Sequence, residues 1–179
     1  MSHASFVNPV EAFDWEKKDW QLEELLQSVV VIQSFPNELA KLLKDITPEK
    51  LNAQYREGSW TVNQIVHHLA DSHMNAWIRT KQILHADNPT VMPYDQDAWA
   101  SGVDYQFNYE ASYVVVVALH QRWSLLLLEA LKTPEKLLRT YFHPEHNKTF
   151  TLAQLIAQYG WHCRQHLAQL VFAIQHPRG

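Results

Sequence analysis

The stretch YGWHCRQHLAQL, residues 159–170, sets His162 and His166 four residues apart in a segment that otherwise reads as a buried helix. At that spacing both imidazoles project from one helical face, one turn apart. Leu152, Leu155, Ile156, Tyr159, Cys163, Leu167 and Leu170 define the apolar side of this helix, and the two histidines fall near its middle. An imidazole is costly to bury unless its ring nitrogens find partners. Two arrangements meet that need. One is a packed, hydrogen-bonded pair; the other is a shared metal ion, because histidines at i and i+4 can ligate one cation.

A third ligand would come from a facing helix, as bundle cores build their sites. The segment HHLADSH, residues 67–73, is the obvious supplier. With residues placed at about 100° steps, His67 points away from the apolar side of its own helix. His68 lies at the edge, with Ile65, Ser72 and Arg79 nearby, and His73 lies close to the centre. Periodicity favours His68 or His73 over His67 and does not choose between them.

The other histidines read differently. FHPEHNKTF carries His143, Glu145 and His146, but Pro144 and polar neighbours predict a surface loop. His3, His85, His120 and His176 read as surface or capping residues. Cys163 is the single cysteine, which excludes an internal disulfide framework, and it reads as packing. There is no Gly-rich phosphate loop, no G-x-S-x-G and no H-E-x-x-H, and the acidic residues are scattered.

The elements that must position these residues are helical. The 179 residues predict one domain, 1–179, with an irregular N-terminal arm at 1–19. Leu22, Leu25, Leu26, Val29 and Ile32 recur at helical spacing, and Pro36 predicts one kinked helix. Thr61 is a plausible N-cap for a second helix, with Val62, Ile65, Val66, Leu69, Ala76, Ile83 and Leu84 on one side. Residues 87–111 form a long connection whose aromatic content predicts an ordered, packed loop. SYVVVVALHQRWSLLLLEALK reads as a buried helix. TPEKLLRTYFHPEHNKTFT reads as a second connection with room for a short hairpin, and the last helix runs from about Leu152 to Gln175. The fold class is therefore all-α, a four-helix bundle whose long crossover lets helices two and three run parallel.

Composition narrows the function classes. A net charge of −4 with no basic cluster argues against nucleic acid, so the seven tryptophans read as core and pocket lining. The run SYVVVVALH is too short to span a bilayer, and no secretory signal opens the chain, so the expectation is a cytoplasmic protein without a membrane partner.

The motifs GSWTVNQIVHHLADSHMNAWIRTK, PYDQDAW, LHQRW, HPE and YGWHCRQHLAQL, in that order, resemble the DinB-like superfamily and specifically its YfiT branch of metal-dependent hydrolases, related to bacillithiol S-transferases. The resemblance covers roughly residues 20 to 172. It implies an up-down-down-up bundle, often dimeric, with a divalent metal held by three histidines. In the family pattern a Trp-Ser/Thr start is followed eight residues later by the ligand of a His-Leu pair, which counted from Trp60 falls on His68. The other two family ligands map onto His162 and His166, and His67 and His73 stay as alternatives. The resemblance also implies that His73 and Asn75 orient a ligand imidazole, and that Arg79 receives a carboxylate or else sits in a structural ion pair. Tyr94 and Trp99 would wall the site.

The resulting expectation is a metal-dependent enzyme with one divalent ion, zinc first and nickel next. It would be a thiol S-transferase activating a low-molecular-weight thiol toward an electrophile. The alternatives are a hydrolase acting on a hydrolysable substrate and a non-catalytic metal- or ligand-binding bundle. A homodimer is expected from the family, and the apolar surface of the third helix is compatible with one.

Overall fold

Helices form where apolar spacing and caps agree. The computed structural model describes residues 5–177, so His3 lies outside the described residues. The elements are α1 (Leu22–Leu43), α2 (Pro48–Leu51), α3 (Val62–His85), α4 (Gln96–Ala100), α5 (Glu110–Leu131), α6 (Pro134–Leu137), β1 (Thr140–His143), β2 (Lys148–Thr151) and α7 (Leu152–Gln175). Thr61 and Thr151 each open a long helix through a capping box, with Gln64 and Gln154 as the reciprocal partners. α1 runs unbroken through Pro36. A proline has no N–H, so the Ile32 carbonyl lacks its usual i+4 donor.

Side-chain contacts give the topology. Tyr109 and Tyr113 near the start of α5 reach the carbonyls of Leu43 and Pro36, while His120 reaches Ile32, so α1 and α5 are antiparallel. His67 meets Ser112, His73 meets His120 and Thr80 meets Trp123, so α3 and α5 run parallel. Ser72 meets Tyr159 and His68 approaches both His162 and His166, so α7 opposes α3. The order is up-down-down-up, a four-helix bundle as expected.

The core is formed by Leu25, Val29, Ile32, Phe35, Ile65, Leu69, Trp123, Leu127 and Ile156, all at most 1% exposed. Leu22 and Leu26 are instead exposed, so the apolar spacing of α1 divides between the core and an outer face. α1 and α7 approach closely at Gly160, where an added Cβ would lie 2.6 Å from Ser28 Cβ. By length and composition α5 could cross a membrane, a property that the run SYVVVVALH alone did not suggest. In the bundle its Val116, His120, Trp123 and Leu127 are buried, which is the pattern of a core helix.

Two connections cover one end of the site. The crossover between α3 and α5 is ordered, as expected: it holds α4, and Tyr105 within it donates to Asp71 Oδ2 at 2.7 Å. β1 and β2 form an antiparallel hairpin, and the crossover joins it through Phe142 N to Pro89 O and Val91 N to Phe142 O. Arg139 donates to the carbonyls of Ile83 and Ala86, capping the C-terminus of α3 with a cation. Residues 5–19 of the N-terminal arm have no regular structure but pack along α7, with Trp161 Nε1 donating to Glu11 O and Phe13 stacked on Trp20.

Candidate metal centre

His68 on α3 and His162 and His166 on α7 bring their ring nitrogens together. His162 Nε2 lies 3.3 Å from His68 Nε2 and 3.2 Å from His166 Nε2. Two bonds of about 2.0–2.1 Å from one tetrahedral zinc would hold their nitrogens roughly 3.3 Å apart, so the residues present fit a cation. Burial pushes His68 and His162 well below the usual imidazole range and His166 down to about 4, the last opposed by the Gln169 side chain. At neutral pH all three rings are uncharged, the state in which imidazole ligates. His68 Nδ1 and His166 Nδ1 are buried and make no well-formed hydrogen bond. Trp60 packs on His68 with ring centroids 4.6 Å apart.

Behind His162 stand two more histidines. His73 Nε2 is 3.0 Å from His162 Nδ1, His73 Nδ1 is 2.7 Å from His120 Nε2, and His120 Nδ1 is 2.6 Å from the Ile32 carbonyl. His120 is 1% exposed, which corrects the expectation of a surface or capping residue. Val116, His120, Trp123 and Leu127 follow i, i+4, i+7, i+11, so a stripe shared with Trp123 was the available signal. His85 is exposed in the last turn of α3, and His176 is exposed at the end of α7 with Nδ1 3.1 Å from Phe172 O, both as expected.

The trio opens onto two cavities that both touch His68 and His162. One, of about 760 Å³, is also lined by Ser72, Arg79, Tyr94 and His143. The other, of about 460 Å³, is walled by Tyr55, Trp60 and Trp161. In the larger cavity Arg79 is 9% exposed and forms no ion pair among the described residues. One guanidinium nitrogen donates to Met92 O at 2.9 Å, and its Nε has no partner. His143 is 5% exposed, with its Nδ1 unpartnered. It is thus no surface-loop residue, although His146 is exposed. The burial alternation of TYFH in β1 places Tyr141 and His143 on one face, a period-two signal that Pro144 obscured. Burial, then the Arg79 charge, pushes His143 down to about 4.

The remaining expectations divide. His67 is 6% exposed although it leaves the apolar side of α3, because the crossover and the first turn of α5 cover it: its ring meets Phe107 O of the crossover at 3.0 Å and Ser112 Oγ of α5 at 2.8 Å. It stays outside the trio. His73 contacts a ring of the trio, whereas Asn75 donates back to Asp71 O on its own helix and orients no imidazole. Tyr94 lines the larger cavity and Trp99 packs behind it, ring centroids 4.6 Å apart. Cys163 is fully buried, and that burial pushes its thiol up, in keeping with a packing role.

Comparison with known proteins agrees with this architecture. A Bacillus mycoides protein, provisionally named a metal-dependent hydrolase, is 41% identical over 149 residues, covering 83% of this chain and 84% of its own. A similarly named Oceanobacillus iheyensis protein is 41% identical over 139 residues, covering 78% and 79%. Among solved structures, YfiT from Bacillus subtilis superposes with a TM-score of 0.85 at 32% identity, covering 92% of this chain and 93% of its own. It is provisionally described as a metal-dependent hydrolase with an unusual four-helix bundle topology. The family pattern matches residues 32–170, spanning the histidines of α3, α5 and α7, and this chain belongs to the DinB superfamily.

Proposed function

We propose that this chain is a metal-dependent hydrolase holding one divalent cation on His68, His162 and His166. The observation that carries the reading is the convergence of three uncharged imidazoles where two cavities meet. Three protein ligands leave at least one coordination position open, as in catalytic sites. A cation bound there supplies Lewis acidity and makes water or a thiol nucleophilic at neutral pH. Zinc suits three imidazoles, and nickel is the alternative. The chain's own groups do the rest. His73 holds the His162 ring, and Ser72 and Tyr94 line the space between the trio and Arg79. The unpaired Arg79 guanidinium receives an anionic group of the substrate, because a buried planar cation without a carboxylate partner is a ready bidentate anchor.

A second reading, transfer of an electrophile to a low-molecular-weight thiol, is favoured by the two cavities that share His68 and His162, which leave room for two reactants beside the trio. One experiment separates the two readings. Metal-loaded protein is given activated esters and a chloro-aromatic electrophile, each with and without thiol. Hydrolysis without thiol supports the first reading, and thioether formed only with thiol supports the second. Turnover that survives His166→Ala unchanged overturns both.

We also propose a homodimer. Leu22, Leu26 and Val30 form an exposed stripe on α1, and Leu125 is exposed on the adjoining α5. Light scattering is expected to give twice the chain mass, and Leu26→Lys to give the monomer.

A further inference from the structure

Of the three ligand histidines only His162 has a hydrogen-bonded Nδ1, and the polarity of that bond can be traced back to α1. Pro36 removes the N–H that would satisfy the Ile32 carbonyl within α1. His120 Nδ1 sits 2.6 Å from that oxygen. A carbonyl only accepts, so His120 must carry its proton on Nδ1. His120 is uncharged at neutral pH, since burial pushes it down to about 4. Its Nε2 is therefore an acceptor, and the nitrogen 2.7 Å away, His73 Nδ1, must donate to it. His73 is fully buried and its ring nitrogens meet only other histidines, so a charge there would have no counter-charge; the ring is neutral, and its Nε2 accepts in turn from His162 Nδ1 at 3.0 Å.

We propose that the Ile32 carbonyl, His120 and His73 form a one-way hydrogen-bond relay that fixes His162 as its Nδ1–H tautomer and turns its Nε2 lone pair toward the cation. His120 and His73 are positioning residues. The inference rests on the metal-centre reading for its purpose, but its polarity comes from the chain alone. His68 and His166 have no such anchor, because their Nδ1 atoms make no well-formed hydrogen bond. His162 is thus the preset ligand, and the other two take up their tautomers when the cation binds. A ligand ring held by hydrogen bonds from behind gains affinity without any new metal contact.

Side-chain 15N NMR of the histidines in the intact chain, metal-free and then metal-loaded, tests this directly. In the metal-free protein His120, His73 and His162 are expected to be protonated on Nδ1 with a bare Nε2. His120→Phe deprives His73 of its acceptor; His162 is then expected to show both tautomers, and the Kd for zinc to rise about 10- to 100-fold. His120→Gln keeps a donor for Ile32 and an acceptor for His73, and is expected to restore one tautomer and most of the affinity. A wild-type His162 protonated on Nε2 overturns the proposal. So does a folded His120→Phe with unchanged tautomer and Kd. The wild-type spectrum needs no substitution, so a variant that fails to fold leaves the test intact. If the tautomers are as expected but zinc does not bind stoichiometrically, the relay stands and the metal-centre reading falls.

Discussion

Two groups of histidines face the same cavity and are built differently. His68 and His162 project from long antiparallel helices and, with His166, bring uncharged nitrogens to within bonding reach of one point. His143 and His146 sit at the end of a four-residue strand and in the turn that follows, ring centroids 4.6 Å apart and tilted by 42°, with the Arg79 charge acting on His143. Backbones fixed by many packed turns hold rings at a constant separation. A hairpin tip beside a fixed cation gives neither that rigidity nor a favourable field for a second cation. Histidine content alone is therefore a poor guide to a metal site; what matters is which backbone carries the rings and which charges stand near.

Removing one ring from each group separates the two directly. His162→Ala or His166→Ala is expected to reduce bound metal from one per chain to near zero by elemental mass spectrometry, whereas His146→Ala leaves it unchanged. Equal losses from both groups would place the cation elsewhere in the cavity. Gly160→Ala tests the rigidity directly. Its Cβ would collide with Ser28 and force α7 away from α1, with an expected loss of about 1–3 kcal/mol. For a chain of this size that is roughly 2–4 °C in Tm per kcal/mol. Weaker metal binding should accompany it, though Gly160 touches no ligand.

Arg79→Gln probes the hairpin side of the cavity. For carboxylate-bearing substrates KM is expected to rise about tenfold with kcat little changed, while uncharged substrates and metal content are unaffected. A last test is acid stability. His120 and His143 have folded values near 4, below the ordinary 6.5. The unfolded chain therefore binds more protons between those limits, and stability should be flat above pH 6.5 and fall from 6.5 toward 4. Denaturant titrations of the metal-free chain across that range would check it, and His143→Gln should flatten part of the slope.

Much of the bundle was legible because burial writes a period of three to four into a helix. Leu152 to Gln175 has the predicted bounds, and Thr61 is the predicted cap. The pair at 162 and 166 was legible for the same reason. Pairing that depends on a neighbour was not. Periodicity left His68 and His73 equal, because a wheel describes one helix against an unspecified core. The family resemblance favoured His68, and the tertiary packing sets His68 beside His162 and His166 with His73 one step behind. His67 looked solvent-facing until the crossover covered it.

By itself, then, the sequence determined which residues share a face, where the long helices begin and end, and that two imidazoles must turn inward together, since these follow from local geometry and the cost of exposing apolar surface. Only the tertiary structure decided that the crossover covers His67, that a proline in α1 frees a carbonyl for His120, and that Arg79 is buried without an ion pair among the described residues. Those relations join residues dozens of positions apart. Their energies arise only when the helices pack, so no spacing within one helix can encode them.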